Sequence, residues 1–154
     1  LTYAIADYYL QAPAVDWVGA IAKVRERSRQ RTQDEIKKAY DERNKNSKPS
    51  LPLEKYAGLY RDAWYGEIEI KHEGDRLLMT FKHSPDLSGQ LEHWQYDTFV
   101  ARWSDPELKA DAYVTFSLNP DGSIAEVRMK PFSPDTDFSY DFQDLLLKPI
   151  PVKK

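Results

Sequence analysis

Apolar residues recur at every second position through most of the stretch 66–147, and no other feature narrows the fold as far. A period of two buries one face of a β-sheet, whereas an amphipathic helix needs a period near 3.6. Ile68, Ile70 and His72 alternate with Glu67, Glu69 and Lys71. Glu73-Gly74-Asp75 then supplies a turn, and Leu77, Met79 and Phe81 alternate beyond it, which predicts a hairpin. Residues 91–103 form a long β-rich run, read as two strands hinged near Asp97 and Thr98. Val114, Phe116 and Leu118 mark another strand. Asn119-Pro120-Asp121-Gly122 is a strong turn signal, and Ala125, Val127 and Met129 face inward after it. Phe138, Tyr140 and Phe142 make a last alternating stretch before Leu145-Leu146-Leu147. Seven or eight short strands joined by tight turns predict a mainly β fold. The preferred form is an antiparallel lipocalin-like barrel preceded by helices, ahead of an immunoglobulin-type sandwich. With 6 Gly against 4 Trp, 10 Tyr and 6 Phe, such a barrel has either a filled or a ligand-holding interior.

Ahead of the strands the pattern changes. Residues 1–48 carry 10 Lys/Arg and 7 Asp/Glu, and residues 49–154 carry 12 and 18, giving net charges of +3 and −6. Aromatics split 5 to 15 across the same boundary. Two domains follow as an expectation: a helical segment over 1–48 and a β-barrel over 49–154. Leu1, Ile5, Tyr8 and Tyr9 fall at helical spacing until Pro13 breaks the run, and a second helix starts near Asp16. Trp17, Ile21 and Val24 make one apolar stripe, and Ile36 and Tyr40 another. Residues 25–35 between them are polar on every face, the mark of a helix that is solvated or bridges two bodies. Asp34 and Lys38 add i,i+4 support, and residues 44–52 have linker composition. A helical start at Leu1 without Met or signal-peptide pattern is what a segment of a longer chain shows.

Charge and composition also exclude. A net charge of −3 gives no reason to expect nucleic acid or an anionic membrane as partner. Without cysteine there are no disulfides, no thiolate catalysis and no thiolate zinc site. No apolar run is long enough for a membrane-spanning helix. No cofactor is called for.

Serine catalysis needs an activating base, yet no Ser-x-x-Lys, Gly-x-Ser-x-Gly or Tyr-x-Asn occurs. His72-Glu73-Gly74 fits a loose His-x-Gly pattern but sits where the hairpin turn belongs. Glu92, His93 and Asp97 lie close together, with His72 and His83 elsewhere. On a strand His93 and Asp97 share a face that Glu92 does not, so no metal site is read here. Asp135, Asp137 and Asp141 read as a solvated turn, because glycosidases need two carboxyls at a set gap and the calcium-loop pattern is absent. The aromatics carry more weight. Trp64, Tyr65, His93, Trp94, Tyr96 and Trp103 are the candidates for an interface or a ligand cavity, against the plainer reading of a barrel core. Along 91–103 neither face is purely apolar, so either a bulge near Asp97 and Thr98 swaps the faces or both are covered. Cover is preferred, supplied by the basic helix of residues 16–43 or by a further domain, with Trp94 and Tyr96 as anchors.

Leu51-Pro52-Leu53-Glu54-Lys55-Tyr56-Ala57-Gly58-Leu59-Tyr60 adds a different kind of information. So do Trp64-Tyr65-Gly66, Leu91-Glu92-His93-Trp94-Gln95-Tyr96-Asp97-Thr98-Phe99 and Asp137-Phe138-Ser139-Tyr140-Asp141-Phe142. In this order they resemble DUF3471, a domain found at the C-terminus of many bacterial beta-lactamase-related serine hydrolases of the class C and penicillin-binding-protein group. The resemblance covers residues 50–148. It implies an accessory barrel attached to a periplasmic or exported hydrolase, with residues 1–48 as the end of the hydrolase domain and a connecting helix. The partner it implies is the upstream hydrolase domain of the same chain. The family's Ser-x-x-Lys, Tyr-x-Asn and Lys-Thr-Gly or His-x-Gly motifs lie upstream, so no catalytic residue is carried onto this chain. A small-ligand-binding barrel for an apolar or glycan-like molecule is the alternative.

Overall fold

The computed structural model describes residues 2–13, 15–137 and 139–151. The chain divides into two compact units, Leu1–Tyr40 and Asp41–Lys154. In the first, helices α1 (Thr2–Leu10) and α2 (Trp17–Glu42) are joined across Pro13; Leu1 lies outside the described residues. Asp16 caps α2, its Oδ1 accepting the Gly19 N–H at 2.9 Å. Tyr3 stacks on Trp17 with ring centroids 4.9 Å apart, and the Trp17 indole N–H donates to Asp7. Along the polar middle of α2, Gln30 donates to Asp34 at 2.9 Å and Arg31 to Glu35 at 3.0 Å. Such i,i+4 pairs support a helix that lacks a continuous apolar face.

The second unit is a closed antiparallel barrel of eight strands, in which each strand pairs with its sequence neighbours. These are β1 (Gly58–Asp62), β2 (Gly66–Glu73), β3 (Arg76–Phe81), β4 (Ser84–Gln95), β5 (Thr98–Trp103), β6 (Ala112–Leu118), β7 (Ile124–Pro131) and β8 (Leu146–Pro149). β8 pairs back onto β1 through Tyr60 opposite Pro149 and Arg61 opposite Lys148, closing the circle. As the alternation predicts, Ile68, Ile70, Leu77, Met79, Phe81, Val114, Phe116, Val127 and Met129 are buried in one core. His72 is exposed at the end of β2.

Single-turn 3₁₀ segments plug both ends. Tyr56, after Leu53–Lys55, is fully buried and meets Phe99 and Phe116 edge-on at 5.2 and 4.9 Å. Phe142, in Phe142–Asp144, is fully buried and stacks on Trp103 at 6.2 Å. Phe99 and Trp103 stand near opposite ends of β5, so the plugs close opposite mouths. Aromatic rings fill the space between them.

Two segments depart from the sequence expectation. No strand forms over 139–142, and Phe138 lies outside the described residues. The Asp137 carboxylate accepts the Ser139 N–H at 2.8 Å, and short-range backbone bonds turn the chain instead of pairing it. The aromatic spacing there serves the plug, with Tyr140 stacked on Phe142 at 5.6 Å.

The other is the 91–103 run. It is a hairpin whose register shifts between His93 and Gln95, a bulge just before the turn. Cover is present as well. Trp94 lies outside the barrel core yet is buried, with Tyr113 and Phe132 each at 5.5 Å and the Arg43 guanidinium 4.8 Å above its ring.

Candidate functional site

The six aromatic and histidine candidates do not converge on one place. Trp103 belongs to the core, its indole N–H donating to the Ala110 carbonyl at 2.7 Å. His93, Trp94 and Tyr96 sit at the β4–β5 hairpin, while Trp64 and Tyr65 sit in the β1–β2 turn at the opposite end.

At the hairpin, the segment of linker composition is buckled down rather than loose. Asn44 donates its backbone N–H to Gln95 Oε1 at 2.9 Å and its amide to the Tyr96 hydroxyl at 3.1 Å. The Tyr96 N–H donates to Ser47 Oγ at 3.0 Å. Ser50 donates its N–H and its hydroxyl to the two Asp97 oxygens, at 2.8 and 2.7 Å, and the Tyr56 hydroxyl donates to Asp97 as well. Burial raises the Asp97 pKa, but these donors outweigh it and the net shift is downward. The Tyr56 phenol is pushed up, by burial first and then by its bond to Asp97.

Serine, histidine and aspartate therefore meet here without forming a relay. The Ser50 hydrogen goes to Asp97, and His93 Nε2 donates to the Tyr96 carbonyl at 2.9 Å. Among the described residues no serine hydroxyl is bonded to a histidine or a lysine. A nucleophile needs such a base. Nor does any group of three His, Asp or Glu among the described residues form a metal site.

At the other end lies a cavity of about 350 Å³ lined by Asp62, Trp64, Tyr65, Asp141, Asp144 and Leu145. Its geometry starts with Asp62, which is buried at the end of β1. One carboxylate oxygen accepts the N–H groups of Trp64 and Tyr65 at 2.7 and 3.1 Å, an Asx turn that sets the loop. The other accepts the Leu146 N–H at 2.9 Å, fastening β8 to the same corner. Burial pushes the Asp62 carboxyl up, and these backbone donors bring it below its ordinary value. Gly66 completes the turn at φ +71°, where an added Cβ would stand 2.5 Å from the His83 ring. Tyr65 is held edge-on to Phe81 at 5.9 Å, whereas Trp64 is 94% exposed.

Asp62 and Asp144 escaped the sequence reading. For Asp62 the available signal was the Asp-x-x-x-Gly spacing between two strands, which marks an Asx turn.

The family model described as "Domain of unknown function (DUF3471)" matches residues 42–149. Among solved structures, the C-terminal domain of penicillin binding protein Rv0907 is similar, with a TM-score of 0.50 at 20% sequence identity. That similarity covers 70% of this chain and 94% of the other. No curated protein matches.

Proposed function

The chain belongs to the DUF3471 family, and on that footing we propose that it is a non-catalytic accessory domain of a beta-lactamase-related serine hydrolase. It packs on the catalytic domain of the same chain, shaping its cleft or its oligomer. The observation that carries this reading is α1. Tyr8, Tyr9 and Leu10 are 80, 79 and 77% exposed, Tyr3 and Ile5 are at least half exposed, and the helix buries no described side chain. A nine-residue helix is marginal in water and draws its stability from packing an apolar face. So apolar a surface therefore marks a contact with a further body. The filled barrel interior supports this reading over a ligand held in the lumen. Periplasmic or exported placement is proposed along with it. No helix among the described residues is long and apolar enough to cross a membrane.

The test begins with the reading frame upstream of Leu1, which is expected to encode a domain carrying Ser-x-x-Lys. With that domain supplied as a separate polypeptide, this chain should co-migrate with it on size exclusion. Tyr8→Glu with Leu10→Glu should abolish the co-migration without lowering the melting temperature of the barrel. An upstream frame without such a domain, or undiminished association of the double variant, would sink the proposal.

A further inference from the structure

The cavity beside Trp64 has a chemical character that the accessory role does not use. Its floor is Leu145, which is buried, and its fixed wall is Tyr65. The indole of Trp64 stands at the rim, on a backbone that Asp62 holds in place, with no ring stacked on it among the described residues. Asp62 spends its carboxylate on three backbone N–H groups and offers little to a guest. The Asp141 and Asp144 carboxylates are different. Both residues are exposed, and neither carboxylate is bonded to another described residue.

Among the described residues no cationic side chain lines the cavity, and none supplies an amide or guanidinium to donate to sugar hydroxyls. The 49–154 region carries a net charge of −6, so the surrounding field also favours cations. Aromatic faces attract cations through their quadrupole, and carboxylates accept their N–H groups. We propose that this end of the barrel binds a small organic cation bearing a primary ammonium group, seated between the Trp64 ring and the Asp141 and Asp144 carboxylates. The alkyl chain lies on Leu145 and Tyr65. The proposal goes beyond the accessory reading and needs no second domain, so either can fail without the other.

The test uses the intact chain and follows the Trp64 indole N–H in ¹H–¹⁵N spectra, assigned by its loss in Trp64→Phe. Titration with n-butylammonium chloride should shift that resonance saturably, while sodium chloride at equal ionic strength should not. Asp141→Asn with Asp144→Asn should weaken binding by roughly three- to thirtyfold, as expected for two exposed charge contacts, at an unchanged melting temperature. Four results would overturn the proposal: a non-saturating shift, equal saturation by N-acetylglucosamine, undiminished binding by the double variant, or a resonance that responds only to the catalytic domain. The last would make Trp64 a protein contact.

Discussion

Asp62 and Asp97 each anchor one end of the barrel through an ionised carboxylate that accepts several hydrogen bonds. Burial raises both pKa values, and the donors more than reverse it. In the unfolded chain each carboxyl titrates near about 3.9. A depressed folded pKa means that the unfolded state binds the proton more readily, so stability rises with pH through this window. The contribution is present above the unfolded value and is lost as pH falls through the folded one. Melting temperatures measured from pH 7 to pH 3 should therefore fall steeply below about pH 4.5, and less steeply in Asp62→Asn or Asp97→Asn. At neutral pH, Asp62→Ala should cost about 3 kcal/mol, since it leaves three part-buried N–H groups without their acceptor. These anchors were hard to see in the sequence for a definite reason. The partner of Asp62 at Leu146 lies 84 residues away, and no local pattern records such a bond.

The β4–β5 hairpin shows what alternation can and cannot reveal about an element. In β2, β3, β6 and β7 the period-two pattern places the central inward residues correctly, from Ile68 and Ile70 to Val127 and Met129. It fails at strand ends: His72 is exposed, and beside the register shift between Ser117 and Leu118 both Leu118 and Ala125 are only half-buried. In β4 the bulge between His93 and Gln95 interrupts the period, and Trp94 is buried outside the barrel core. Composition likewise misleads over 44–50. Asn and Ser mark a flexible linker when solvated, yet here their side chains satisfy the turn of another element. Trp94→Ala should remove the edge-on contacts with Tyr113 and Phe132 and uncover Arg43, destabilising the intact chain by about 3 kcal/mol in chemical denaturation. A loss below about 1 kcal/mol would mean that the site collapses to fill the space.

For the molecule as a whole, the barrel and its preceding helices were legible because charge, aromatic content and periodicity all change near residue 49. The plugs were not, since Tyr56 follows a single 3₁₀ turn with no period, and the alternation that ends at Phe142 reads as a strand although Phe142 opens a 3₁₀ segment. A chain starting at Asp41 is expected to melt cooperatively. One starting at Ser50 should melt at a lower temperature, because it lacks the bonds that Asn44 and Ser47 make to the hairpin. Each such bond contributes about 1 kcal/mol, and equal melting temperatures would show that the strap adds nothing. The seam between β1 and β8 has a kinetic consequence. Every other strand pair joins sequence neighbours, whereas this one, with two paired positions, brings the two ends of the barrel's chain together. Contacts so distant in sequence carry the largest loop-closure entropy and reward it only after the intervening hairpins have formed. The seam should therefore be made late in folding and opened early in unfolding. In stopped-flow measurements Leu147→Ala and Asp62→Asn should speed unfolding while leaving the folding rate nearly unchanged, and a slowed folding arm would instead place the seam in the nucleus.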